Sequence, residues 1–296
     1  MTNGSAVKTL LCLGHGYTAQ ALSGMLTTAG GWHVVGTARS RDRFGRIIET
    51  GAEPRSWPGD DISSDVAAAD CILVSIAPDQ DGDPVLRALS DQVASSASRV
   101  QWVGYLSTTA VYGDRQGGWV DEGSELTPST ERGRWRVAAE EAWQRLSRRT
   151  GLKLHIFRLA GIYGPGRGPL HQLLSGRKSR IVRSSQKFNR IHVIDIARIL
   201  HASMLRPAPG SIYNVCDDCP ATTEEVMEYA ARRAGVDLPD KVDIENAMLS
   251  EMARSFYSES KMVRSKHVKA HLSVRLRYPN FKSGIDALLS DPEKSE

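Results

Sequence analysis

The sequence predicts an α/β fold, a doubly wound parallel sheet with a small C-terminal lobe. Three observations carry that expectation. Short apolar runs bounded by turn residues alternate with amphipathic stretches along the 296 residues, the pattern of a parallel sheet with helices on both faces. The runs are continuously apolar rather than alternating, as strands covered on both sides are. A glycine-containing turn separates the first run from the first amphipathic stretch.

Each element follows in order. Val7–Leu13 reads as a buried strand and Tyr17–Ala29 as the helix after it. Trp32–Thr37 is a second strand, and Cys71–Ala77, Val100–Ser107, Leu154–Leu159 and Ile212–Val215 continue the series. A helix starts near Glu131 and ends near Gly151, with Trp135, Ala139, Ala142 and Leu146 as its apolar stripe. Another opens at Thr222–Thr223, where Glu225 completes a capping-box pattern. The strand order expected of such a sheet assigns residues 1–163 and 193–214 to the sheet domain. The lobe then takes 164–192 and 215–296, and the polar residues after Leu289 are expected to fray.

Composition narrows the function classes. A hydrophobic content of 41% and a charged content of 24% are ordinary for a globular chain. The net charge of +4 is spread along the sequence, so no nucleic-acid partner is expected. No apolar run approaches the ~20 residues that cross a bilayer. The N-terminus lacks the charge and apolar core of a secretion signal, so a cytoplasmic, non-membrane protein is expected. Four cysteines are too few for a disulfide framework. Cys216 and Cys219 form a C-x-x-C, but no second pair supplies the remaining zinc ligands, so no metal is expected.

The chemistry begins at Gly14-His15-Gly16-Tyr17-Thr18-Ala19, a G-x-G-x-x-A between first strand and first helix. Gly14 permits the tight turn, Gly16 lets backbone approach a pyrophosphate, and Ala19 keeps helix and strand close. Tyr17 and Thr18 open the helix whose free amides would face the phosphates. This is the dinucleotide-binding turn of a Rossmann domain. The end of the second strand selects between cofactors. Thr37 is followed by Arg39, Ser40 and Arg41, with no acid until Asp42. Guanidinium suits a 2′-phosphate, so NADP(H) is favoured over NAD. Asp61 is placed to hold the adenine edge, and Ile76 and Ala77 end a strand beside the turn.

Several ordered motifs then resemble the extended short-chain dehydrogenases/reductases of the NAD(P)-dependent epimerase/dehydratase type. They are Leu106-Ser107-Thr108-Thr109-Ala110-Val111-Tyr112-Gly113, Arg158 to Gly166 with its Ile162-Tyr163-Gly164-Pro165, Ile191-His192-Val193-Ile194-Asp195, and Tyr213-Asn214-Val215. The resemblance implies that Thr108 polarises a substrate oxygen and that Thr109 contacts substrate. It also places Tyr163 near the cofactor, His192 and Asp195 at the junction of the two lobes, and a homodimer interface on the helix bearing Arg132 to Arg149. Trp135 and Trp143 would serve either that interface or the core.

One departure matters. The family's Tyr-x-x-x-Lys pair is replaced by Arg132 and Arg136. Arginine stays protonated and is a poor general acid or base. Arg132 would bind substrate, and Arg136 would hold the nicotinamide ribose in the catalytic centre. The proton would come from Tyr112, Tyr163, His192 or water. The basic stretch Gly176 to Arg190, with Arg190 as its substrate contact, would suit an anionic substrate such as a nucleotide-sugar diphosphate or a carboxylate. Two functions therefore stand open. One is an NAD(P)-dependent oxidoreductase or epimerase acting on a small polar molecule. The other is an NADP(H)-binding sensor or assembly protein without turnover.

Overall fold

A computed structural model describes residues 7–176, 179–182, 186–243 and 259–290. The basic residues Arg177, Lys178 and Arg183 lie outside that set. Seven strands form one parallel sheet, ordered Ile212–Val215, Leu154–Leu159, Trp102–Thr108, Cys71–Val74, Lys8–Leu13, Trp32–Ala38 and Glu53–Ser56. We label the first five in chain order β1 (Lys8–Leu13), β2 (Trp32–Ala38), β3 (Glu53–Ser56), β4 (Cys71–Val74) and β5 (Trp102–Thr108). The order grows one way from β1 through β2 to β3 and the other way through β4 to β5. The strand order thus reverses between β1 and β4, and ligands of open α/β sheets bind at the carboxyl ends of strands at such a point.

Local sequence explains the elements. In β1, Leu10, Leu11, Cys12 and Leu13 are fully buried, which is why no alternation shows. The helix α1 (Tyr17–Ala29) sends Ala19, Leu22 and Leu26 inward and stops at Gly30, whose φ of 76° suits glycine. β4 ends at Val74 rather than Ala77, because the strand register with β1 closes at Leu13 and Val74. β3 escaped the sequence reading. Its Glu-Pro-Arg-Ser has no apolar run, and it sits at the sheet edge, where proline is tolerated.

The chain divides into two compact units, the first of residues 1–108, 134–158 and 196–213, the second of 109–133, 159–195 and 214–296. The expected boundary at 163 therefore moves. Residues 109–133 belong with the second unit because their bonds lie there. Tyr112 donates to Asn214 Oδ1 at 2.7 Å and Arg115 N to Ser260 O at 3.0 Å, and Trp119–Val120 pairs in parallel with Met262–Val263.

In the first unit, Trp143 is fully buried among Leu13, Val74, Tyr105 and Leu154, and its Nε1 donates to Asp83 Oδ2 at 3.1 Å. Trp143 is core, whereas Trp135 is half-buried. In the second unit, Tyr163, Leu170, Val226, Met227, Phe281 and Ile285 build a separate core. There the expected capping box forms, with Thr222 and Glu225 bonding each other's backbone amides.

One buried polar cluster stiffens the sheet. Arg158 on the strand Leu154–Leu159 donates to Glu140 of the helix Glu131–Thr150 through Nε at 3.2 Å and Nη2 at 2.7 Å. The pair is almost fully buried, and the Ser107 hydroxyl donates to the same carboxylate. Breaking such a pair from one side strands the other charge. Glu140→Gln is therefore expected to cost about 3–5 kcal/mol, because Arg158 keeps its charge. Urea unfolding of the variant beside the parent measures it, and a loss below about 1 kcal/mol would contradict this account.

Candidate functional site

The glycine turn joins β1 to α1 and is held from both neighbouring strands. Gly14 has a φ of 89°, a region that side chains avoid. A Cβ there would sit 2.8 Å from Ile76 Cγ1 and 2.9 Å from Ser75 Oγ. From β2, the Thr37 hydroxyl accepts from Gly14 N at 2.8 Å and the Thr37 carbonyl accepts from His15 N at 2.8 Å. From the β4 side, the Ser75 hydroxyl donates to the Gly14 carbonyl.

The next glycine is different. Gly16 is exposed, and a Cβ on it would meet nothing within 4 Å. It caps α1 without any side-chain bond, and the first turn of α1 carries no acid. The first amides of the helix are thus left without a capping side chain beside open space, and the helix dipole adds partial positive charge. That donor set fits a phosphate group.

His15, between the two glycines, turns inward. Its ring occupies the space above Gly36 of β2, where a Cβ would lie 2.5 Å from the His15 Cδ2. Its Nε2 bonds Ser23 Oγ at 2.9 Å, and burial lowers its pKa to about 4.

At the carboxyl end of β2, Arg39 is exposed and has no ion-pair partner among the described residues. Ser40 is exposed, but its hydroxyl is engaged locally. Its hydroxyl accepts from Asp42 N at 3.3 Å and caps the short turn Arg41–Arg43. Arg41 is exposed and loosely paired with Asp60 at 3.9 Å. Asp61 is exposed and accepts from Ser63 N at 2.9 Å, a bond that lowers its pKa. Ile76 is half-buried and Ala77 exposed, both just past β4. Thr37, Thr18 and Ala19 are buried. Thr37 therefore fixes the turn and is not a surface contact for cofactor. Tyr17 stays half-buried.

Thr108 ends β5, half-buried. Arg136 reaches the same strand, donating through Nη1 to the Leu106 carbonyl at 2.6 Å and the Tyr105 hydroxyl at 3.1 Å. Gly14, Gly16, Arg39, Ile76, Ala77, Thr108 and Arg136 thus all belong to the first unit, on or just past the carboxyl ends of neighbouring strands or, for Arg136, bonded to one.

The other candidates lie in the second unit, and three need correction. Tyr112 is fully buried, and its hydroxyl proton goes to Asn214. Tyr163 is buried in the second core, its hydroxyl 3.4 Å from the Asn280 carbonyl, and burial drives its pKa up. Tyr163 is therefore not placed to give up a proton near neutrality, and the Tyr112 hydroxyl is committed to Asn214. Arg190, expected to bind substrate, is 4% exposed and donates to the Phe188, Ala221 and Thr222 carbonyls at 3.3, 3.0 and 3.5 Å. It ties loops together inside its own unit. Thr109 is half-buried and Arg132 exposed. His192 is buried against the Tyr163 and Tyr278 rings, and burial lowers its pKa to about 4, so it too is no proton donor at pH 7. Cys216 is buried and Cys219 half-buried, both as free thiols.

Sequence reasoning missed Ser75, the fit of His15 on Gly36, and the Glu140–Arg158 pair. A hydroxyl residue directly after an apolar run hinted at the first. Nothing in the spacing of Glu140 and Arg158 signals that they meet.

Comparison with known proteins fits this geometry. A model of the NAD dependent epimerase/dehydratase family matches residues 85–216. A conserved protein of unknown function from Silicibacter pomeroyi DSS is 53% identical, with a TM-score of 0.89 over 97% of this chain and 99% of its own. Over residues 85–216 the chain is similar to the NAD dependent epimerase/dehydratase family. Within the wider likeness, protein YeeZ of Escherichia coli K12 is 27% identical over 79% of this chain and 86% of its own. UDP-glucuronic acid 4-epimerase from Bacillus cereus, solved in complex with NAD, has a similar fold at 15% identity, with a TM-score of 0.76 covering 94% of this chain and 96% of its own. No helix among the described residues is long and apolar enough to cross a membrane.

Two outcomes are expected. Thr37→Val removes the acceptor of a buried amide and should cost about 1–3 kcal/mol in urea unfolding, with the fold retained. An undiminished midpoint would mean that Gly14 N finds another partner. His15 and His192 are neutral when folded and bind protons more readily when unfolded. Their contribution is intact above the ordinary histidine pKa of 6.5 and lost as pH falls towards about 4. At pH 4 the loss should reach on the order of 3 kcal/mol per histidine. Urea midpoints at steps between those pH values, on the parent and on His15→Gln, test it. The variant should show a shallower decline.

Proposed function

We propose that this chain binds a nicotinamide dinucleotide at the turn between β1 and α1 and acts as an epimerase- or oxidoreductase-type enzyme on a small, polar, anionic substrate. The observation that carries the reading is the exposed Gly16, beside first-turn amides of α1 that no side chain caps and no acid neutralises. The match of residues 85–216 to a family model described as NAD dependent supports the same choice. The bound nicotinamide would supply hydride exchange. The chain's own part is to hold the diphosphate on the α1 amides, to orient a substrate oxygen through Thr108, and to keep the end of β5 in place through Arg136. A nucleotide sugar is the substrate class that the UDP-glucuronic acid 4-epimerase likeness suggests.

NADP(H) is the preferred form in this reading. Arg39 is exposed just past β2 with no ion-pair partner among the described residues, and a guanidinium meets a 2′-phosphate with two parallel bonds. Arg41, only loosely held by Asp60, adds positive charge nearby.

A second reading is binding without turnover. It draws on the burial of Tyr112, Tyr163 and His192, which removes the side chains best able to replace the missing tyrosine. In that case the protein reports the dinucleotide's redox state or assembles with a partner.

Oxidation of NADPH against a panel of carbonyl compounds and nucleotide sugars, with Thr108→Ala alongside, separates the two. Turnover that drops at least tenfold in the variant supports the enzyme. Binding without turnover, unchanged by the substitution, supports the second reading. For cofactor choice, Arg39→Asp should weaken NADP+ by at least tenfold, about 1.4 kcal/mol, while leaving NAD+ nearly unchanged. Equal losses for both would refute the assignment of Arg39.

A further inference from the structure

A cavity of about 410 Å³ lies wholly within the second unit, among residues that the dinucleotide reading does not use. Small-molecule sites commonly measure ~300–1,000 Å³. Its lining is chemically uneven. Asp217 is 1% exposed. One of its carboxylate oxygens accepts from the Cys219 and Arg190 amides at 3.3 and 3.5 Å, while Oδ2 is buried with no hydrogen-bond partner. A buried acceptor left unmade is costly, and native structures keep few of them without a reason. Burial also pushes the Asp217 carboxyl up to about 7. A donor delivered into the cavity would relieve both.

The opposite chemistry is present beside it. Arg264 and Lys266 line the same space, are exposed, and have no ion-pair partner among the described residues. Lys269 is different, since it pairs with Asp218. Trp119 lines the cavity, is 49% exposed, and has the Arg264 guanidinium 5.5 Å over its ring. A partly exposed indole accepts flat or cationic partners.

We propose that this cavity is a second ligand site, for a nucleoside phosphate. The N–H edge of the base faces Asp217, its plane stacks on Trp119, and the phosphate meets Arg264 and Lys266. A simple anion leaves Asp217 unmatched, and a simple amine leaves Arg264 and Lys266 unmatched. A base joined to a phosphate answers both in one molecule. The proposal stands apart from the dinucleotide reading, because none of these residues belongs to the unit that carries the glycine turn.

Equilibrium dialysis of the full chain with GMP, AMP and ribose 5-phosphate tests it. At least one purine nucleotide should bind at millimolar concentration or below, and ribose 5-phosphate at least tenfold more weakly. Trp119→Ala and the double change Arg264→Ala with Lys266→Ala alter exposed side chains, so folding should survive. Each should weaken the nucleotide tenfold or more. Asp217→Asn should weaken the purine nucleotide but leave ribose 5-phosphate unchanged. No binding of either nucleotide overturns the proposal. So does binding that the Trp119 and Arg264/Lys266 variants leave intact.

Discussion

The amide of Gly14 and the hydroxyl of Thr37 meet at 2.8 Å, and the position of everything around the candidate site follows from that bond. It fixes the first glycine against β2 while Ser75 holds the same glycine's carbonyl from the β4 side. The turn between β1 and α1 is therefore anchored to both of its neighbours in the sheet. An anchored turn can keep its helix amides aimed at open space without a ligand to order them. Preorganised donors of this kind hold an anion without a reorganisation cost at the moment of binding. The sheet supplies the rest, since its strands are parallel and the carboxyl ends of β1, β2, β4 and β5 therefore share one edge.

Much of this was legible from residue order alone. Continuous apolar runs gave the buried strands, because a strand covered on both faces has no polar side to show. Gly14 was readable because its positive φ and close neighbours demand glycine, whereas Gly16 was readable only from its place in the G-x-G-x-x-A pattern, since nothing here crowds a Cβ on it. Exposed side chains were harder. Arg39 stands at the end of β2 as expected, but Ser40 was read as a phosphate helper and instead caps a turn with Asp42. Short hydroxyl side chains bond their own backbone as readily as a ligand, and sequence does not say which wins.

The misplaced residues share another cause. Tyr112, Tyr163 and Arg190 carry polar groups, so motif position suggested that they point to a reaction. Each is buried and its polar atoms are satisfied inside the second unit. A buried arginine surrounded by carbonyls looks the same in sequence as one waiting for a phosphate. The edge strand β3 was invisible for the opposite reason, since it buries too little to need an apolar run. Glu140 and Arg158 meet only because a helix and a strand pack together, and no local pattern encodes that.

His15 and Gly36 make one last point about how such a site can change over time. The ring of one fills the volume that the other leaves empty, so a methyl carbon on Gly36 would lie only 2.5 Å from the His15 ring. The two positions are a single steric unit drawn from separate strands of the sequence. A lineage that trades the histidine for a small residue frees β2 to carry a side chain, whereas one that gains the side chain first meets a clash. Drift at this turn is therefore ordered in time, with the histidine as the gatekeeper.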